Sequence, residues 1–151
     1  MPVQGASVDI NQPVDVVFRY LVELNDAHWR SSVVEMRLLS ESFHGVGSRH
    51  VEVRRVPGRA VNTVAEVTAY EPNRRWVVRR ATGPVRPEVT YDLEPTPTGT
   101  RLLFTFDLPV VVGIAKILRP LVPALRRIVH RAFRADLNRL KQQIETQGRT
   151  G

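Results

Sequence analysis

The chain has 151 residues with 22 Lys+Arg against 15 Asp+Glu, and it contains no cysteine. That length suits one domain with its own core, and the absence of cysteine excludes a disulfide framework, thiolate catalysis and Cys-based zinc sites, in keeping with a reducing cytoplasm. The net charge of +7 is local: residues 1–110 carry 13 Lys+Arg against 13 Asp+Glu, and residues 111–151 carry 9 against 2, so the excess describes one face of one element.

Residues 1–10 lack a basic stretch followed by an apolar one, and no apolar run approaches the roughly 20 residues of a membrane span. A cytoplasmic protein is expected. After a short strand ending near Ile10, Asn11-Gln12-Pro13-Val14-Asp15 offers a cap residue, a proline and an acidic first turn. Val14, Val17, Phe18, Leu21 and Val22 then recur at helical spacing. The pattern breaks at Asn25-Asp26, and His28-Trp29 is expected in a short second helix or turn.

Strands follow at about 33–42, 48–56, 60–71 and 74–82, rich in valine and separated by Gly45-Val46-Gly47, Pro57-Gly58 and Pro72-Asn73. Turns this short favour antiparallel neighbours. Residues 86–94 alternate polar with apolar. In 101–108, Leu102, Phe104, Phe106 and Leu108 share one face. Thr96-Pro97-Thr98-Gly99-Thr100 is turn chemistry and makes these two strands a hairpin.

The last element carries the longest period. Leu121, Val122, Leu125, Ile128, Val129, Ala132, Phe133, Leu140 and Ile144 form a broad apolar stripe. Arg126, Arg127, His130, Arg131, Arg134 and Lys141 fall on the opposite arc. This is an amphipathic helix of about 25 residues, roughly 37 Å long, with Pro120 and Pro123 limiting it backwards. The sum is a single α+β domain over residues 1–151. In it a curved antiparallel sheet of about seven strands wraps a long C-terminal helix, with two short helices after strand 1.

The chain resembles the START-like or SRPBCC superfamily, the helix-grip fold of polyketide cyclase/dehydrase-like proteins and pollen-allergen-like carriers. The resemblance is carried by Ile10-Asn11-Gln12-Pro13-Val14-Asp15-Val16-Val17-Phe18 at the first helix and by Trp29 with Val33-Val34-Glu35. Gly45-Val46-Gly47-Ser48, Tyr70-Glu71-Pro72, Gly99-Thr100-Arg101-Leu102 and Asp136-Leu137-Asn138-Arg139-Leu140-Lys141 complete it. It spans nearly the whole chain, and its order and spacing are specific for fold more than for chemistry, since the fold hosts carriers, cyclases, hydroxylase subunits and stress-response proteins.

The resemblance implies a cavity between the concave sheet face and the long helix. Strand alternation places Met36, Leu38, Val51, Val53, Trp76, Val78, Tyr91, Phe104 and Phe106 on that side, with Val129 and Phe133 closing it from the helix and Trp29 near the mouth. Trp76, Tyr91, Phe104 and Phe106 suit plain core equally well, and the Tyr91 hydroxyl needs a partner if buried. Arg80 is in phase with Trp76 and Val78, and Arg49 and Arg55 with Val51 and Val53. A guanidinium in a dry cavity favours an anionic or carbonyl-bearing ligand, whereas near a strand end it reaches water. Asp136, at the edge of the apolar arc, reads as a salt-bridge partner or as a cavity carboxylate.

No catalytic signature emerges. His28, His44, His50 and His130 lie on different elements without metal-ligand spacing, and Ser31 and Ser32 have no nucleophile elbow. Gly45-Val46-Gly47 is too short for a dinucleotide loop, so neither metal nor cofactor is expected. Acid/base chemistry by Glu66, Glu52 or His50 is open but unsupported. The favoured expectation is a binding or carrier domain for a small hydrophobic molecule such as a lipid, polyketide or isoprenoid-like compound. A cyclase or dehydratase using the same cavity is the alternative, with Tyr91, Arg80 and His50 as its residues. A third reading is docking on an anionic membrane or macromolecule through Arg126, Arg127, Arg131 and Arg134, with nucleic acid disfavoured for want of a recognition motif.

Overall fold

Because each run of alternating residues is followed by a tight turn, consecutive strands pair with one another, and the result is one curled antiparallel sheet. The computed structural model describes residues 3–39, 45–82, 86–107 and 119–150. The elements are β1 (Val3–Ile10), α1 (Val14–Val22), β2 (Val33–Leu38), β3 (Arg49–Val56), β4 (Arg59–Glu71), β5 (Arg75–Arg80), β6 (Glu88–Thr96), β7 (Gly99–Asp107) and α2 (Val122–Thr150). The seven strands run in the order β1-β7-β6-β5-β4-β3-β2. Only β1 pairs out of sequence, lying beside β7 with Ile10 opposite Thr100.

The turns act as the sequence requires. Pro57-Gly58 joins β3 to β4 in two residues, with Gly58 at φ 83, a conformation that costs glycine little. The β6–β7 hairpin closes with Thr96 opposite Gly99. A Cβ on Gly99 would collide with the Ile10 carbonyl oxygen, so only glycine fits there. The adjacent Thr100 hydroxyl donates to the Gln12 carbonyl at 2.7 Å, which ties this hairpin to the start of α1.

Two expectations about the first crossover change. Asn11 does not cap α1: the N-cap position is Pro13, with no side-chain hydrogen bond, and Asp15 supplies the acidic first turn. The second short helix reduces to a three-residue 3-10 turn, Asp26–His28. Leu24 adopts φ 61 and breaks the helical path, and three residues cannot close a ladder of i to i−4 bonds.

α2 has 29 residues, with Pro123 in its first turn, where the missing N–H costs nothing. Among its described side chains, those from Phe133 onward grip the sheet. Leu137, Leu140 and Ile144 are buried with Ile10, Val17, Leu21 and Leu102 in the core, and Phe133 is partly buried against them. Leu121 and Ile128, predicted on the same stripe, are 55% and 66% exposed. At 100° per residue Ile128 lies about 140° around the axis from Phe133, which turns it to solvent. Ala132 is exposed as well. The side chains of Val122, Leu125, Arg126 and Val129, together with Leu108, the connector 109–118 and the predicted strand end at 40–42, lie outside the described residues.

Candidate functional site

The strand β3 decides the character of the concave face. Its two-residue turn sets His50 opposite Ala65, Glu52 opposite Thr63 and Arg54 opposite Val61. Directly opposed residues in an antiparallel pair point to the same side. His50, Glu52 and Arg54 therefore join Ala65 on the inner face, and the strand buries its polar residues. Val51 and Val53, expected in the cavity, lie on the outer face with the exposed Arg49 and Arg55, because hydrophobic alternation alone gives the opposite phase.

These inner polar groups are arranged around one carboxylate. His50 and Glu52 are 2% and 5% exposed. His50 Nε2 lies 3.3 Å from Glu52 Oε1, and Arg54 Nη2 donates to Glu52 Oε2 at 2.5 Å. Burial alone would raise the Glu52 carboxyl. The hydrogen bond from His50 and the guanidiniums of Arg54 and Arg30 outweigh it and hold the group at about 2. Arg54 is displaced downward, first by burial and then by Arg30, with Arg80 adding to the repulsion, and Glu52 only partly offsets them. Its Nε is buried with no acceptor among the described residues.

The arginines come from three elements. Arg30, buried just after the 3-10 turn, sets its guanidinium 5.9 Å from the Trp29 ring centre. Arg54 is on β3. Arg80, at the end of β5, is half-buried and shares a face with Trp76 and Val78, as its phase predicts.

Beside this cluster stands an aromatic wall. Tyr91 stacks on Trp76 with centroids 5.2 Å apart and meets Phe104 edge-on at 5.4 Å. Phe133 of α2 packs on Phe104 at 5.0 Å and on Phe106 at 5.4 Å. Trp29 meets Tyr91 at 6.3 Å and is 1% exposed, so it belongs to the wall and not to a mouth.

Charged cluster and wall enclose a cavity lined on one side by Arg30, His50, Glu52, Arg54 and Arg80 and on the other by Trp76, Val78, Val89, Tyr91 and Phe106. Its volume is about 30 Å³, roughly the space of one water molecule. Between Trp29, Phe104, Phe133 and Leu137 no space for a water remains. A larger groove of about 330 Å³ lies elsewhere, between α1 and the end of α2, where Arg19 and Glu23 contribute opposite charges.

Of the residues singled out in the sequence, Trp76, Val78, Tyr91, Phe106, His50 and Arg80 come together at the cavity. Trp29, Phe104 and Phe133 back it. Met36 and Leu38 share the inner face, opposite Glu52 and His50, but stand half-exposed outside the lining. Asp136 is a salt-bridge and capping group: it accepts from the Ser31 backbone N–H at 3.2 Å and from Arg139 at 3.5 Å. His28, His130, Arg127, Arg131 and Arg134 are exposed, Glu66 pairs with Arg49 on the outside, and His44 is outside the described residues. Among the described residues no cluster of three His, Asp or Glu could hold a metal ion, and no helix is long and apolar enough to cross a membrane.

Arg30 and Arg54 were not singled out from sequence. For Arg54 the signal is countable: a two-residue Pro57-Gly58 turn puts residue 54 opposite 61 and residue 50 opposite 65, which fixes the strand's phase to that of β4. Arg30 carries no comparable mark.

The sequence pattern of the polyketide cyclase/dehydrase and lipid transport family matches residues 5–145. Among solved structures, a Thermus thermophilus protein is 21% identical, with a TM-score of 0.75, covering 97% of this chain and 99% of its own. The di-domain ARO/CYC StfQ of the steffimycin biosynthetic pathway is 16% identical with a TM-score of 0.75, covering 97% of this chain and 51% of its own. BexL, a di-domain ARO/CYC of the BE-7585A biosynthetic pathway, is 20% identical with a TM-score of 0.69, covering 95% and 50%. These likenesses establish the shared fold. No curated protein matches the chain in sequence.

Proposed function

The chain belongs to the polyketide cyclase/dehydrase and lipid transport family, and from that premise we propose that it binds a small, largely apolar molecule on the concave face of the sheet. The observation that carries this reading is the juxtaposition of a continuous aromatic wall, Trp76-Tyr91-Phe104, with a buried polar cluster on the facing strand β3. Ligand pockets combine these two things, apolar area for affinity and a few fixed polar groups for orientation. A purely structural core has no use for the second, because replacing buried ion pairs by apolar side chains is often neutral or stabilising.

A cavity of about 30 Å³ requires that the guest part the walls. The start of α2, ahead of Phe133, is the element able to yield, since its described side chains Arg127 and Ile128 stand in solvent while Phe133, Leu137, Leu140 and Ile144 hold the rest. Binding then couples to movement of that start of the helix. The test is native mass spectrometry of the purified protein with extraction after denaturation. A co-purifying organic molecule in stoichiometric amount is expected. Bare protein that also takes up none of a panel of apolar aromatic probes overturns the reading.

One observation favours a second reading, cyclase or dehydratase chemistry in the same cavity. His50 is oriented by an ionised Glu52 and shares the lining with Tyr91 and Arg80, a proton-transfer pair beside groups that polarise carbonyls. Holding a flexible chain folded would supply the rest of the acceleration. Turnover of a confirmed substrate by His50→Gln and Glu52→Gln at the wild-type rate would remove it.

Docking on an anionic membrane rests on exposed Arg127, Arg131 and Arg134 beside exposed Leu121 and Ile128, with Arg126 in the same run of sequence. Co-sedimentation with liposomes that is equal for neutral and anionic lipid would exclude it.

A further inference from the structure

We infer that the molecule held on the concave face carries an anionic group, and that Arg80 together with Arg54 forms the seat for that group. This rests on the cavity being the ligand site, and it goes further by naming the chemistry of the ligand's polar end. The reasoning begins with charge. Three arginines and one glutamate line the cavity, and His50 is the only other titratable side chain there apart from Tyr91. Asp136, packed on the far side of Arg30, leaves the balance unchanged because it is paired with Arg139. Leaving His50 aside, the lining side chains carry three positive charges against one negative.

The single negative charge of Glu52 is already counted in this balance, with Oε1 on His50 and Oε2 on Arg54. Arg80 makes no ion pair among the described residues, though it is half-buried and lies within the electrostatic reach of Arg54. Arg54 keeps a buried Nε–H donor without an acceptor among the described residues. A buried donor left unsatisfied and a half-buried cation without an ion pair both cost free energy, and both are relieved by one kind of visitor, an oxyanion with several acceptor positions.

Geometry narrows the class. Arginine presents its donors as a planar fork that matches a carboxylate or a similar oxyanion. The cluster lies directly beside Trp76 and Tyr91, and these stacked rings suit a flat or extended apolar body. The ligand class is therefore an amphiphilic acid: an apolar, ring-bearing or extended body ending in a carboxylate or comparable anion. A neutral hydrocarbon would leave the two arginines as they are, and an ester carbonyl would accept a hydrogen bond without supplying counter-charge.

The experiment uses a matched pair, 2-naphthoate and 2-naphthalenemethanol, which share a bicyclic body and differ in charge. Each is titrated into the intact chain by isothermal calorimetry near neutral pH and physiological salt, where the acid is ionised. The acid should bind at least about tenfold more tightly than the alcohol. Arg80→Gln should abolish most of that preference, and Arg80→Lys should restore part of it. A wild-type urea-unfolding midpoint serves as the folding control for the variants. Equal affinity for both probes in the wild type, or a preference that survives Arg80→Gln, overturns the anion seat and leaves the cavity reading intact. Binding of neither probe overturns both.

Discussion

The two ends of the sheet's inner face are built on opposite principles. At one end β1, α1, β7 and the second half of α2 bring together Ile10, Val17, Leu21, Leu102, Leu140 and Ile144, all essentially inaccessible to solvent. At the other, β3 and β5 carry His50, Glu52, Arg54 and Arg80 on the inner face, and the start of α2 ahead of Phe133 turns Ile128 to solvent. The difference teaches where stability and recognition reside. The first end stabilises the fold by removing apolar area from water; the second leaves a share of that stabilisation unused and keeps charged groups where a ligand can meet them.

Truncation at the dry end should produce the largest effect. Leu140→Ala removes fully buried methyl groups from between α2 and the sheet, and a loss of about 4 kcal/mol is expected in urea unfolding. A loss below about 1 kcal/mol would mean that α2 does not anchor the core.

Acid should act on the charged end through Glu52. The folded Glu52 carboxyl sits at about 2 against an ordinary 4.5, so on acidification the unfolded chain takes up the proton first. Its contribution, of order 3 kcal/mol, is complete above the ordinary value and disappears as pH falls toward the folded one. Glu52→Gln should flatten this part of the stability curve and cost about 2 kcal/mol at neutral pH, since Arg54 loses its counter-charge. Acid unfolding that is identical in wild type and variant would assign the sensitivity to other carboxylates.

Smaller effects sharpen the contrast. Arg80→Gln should change unfolding free energy by less than about 0.5 kcal/mol, with a slight gain as repulsion on Arg54 eases, even though it removes the preference for an acid. Ile128→Ser, on the solvent side of α2, should be neutral within about the same margin. A marked loss from either would place that residue in the structural half of the molecule.

The sequence made the dry end readable, because its residues obey single periods: 3.6 in α1 and α2, and 2 in β6 and β7. Leu102, Phe104 and Tyr91 fall on the face their alternation assigns. The charged end breaks the rule on which such reading relies. In Arg49-His50-Val51-Glu52-Val53-Arg54-Arg55 the valines alternate cleanly, yet the pairing register with β4 turns them outward and carries His50 and Glu52 in. Register across a turn is non-local information and overrides the pattern of one strand. The stripe on α2 misled in a similar way at Leu121 and Ile128, which the helical wheel places toward the outer side of an otherwise apolar run. The departures therefore cluster around the proposed site, as expected where local consistency yields to function.

The inverted phase of β3 has an evolutionary corollary. His50, Glu52 and Arg54 occupy every second position of a single strand and touch little of what holds the fold at its other end. On the proposed reading, exchanging those three letters retunes which guests are welcomed, from acids to neutral or basic compounds, at a cost confined to the few kcal/mol that the Glu52 cluster contributes. Diversification within such a lineage could then proceed by editing one short stretch of text.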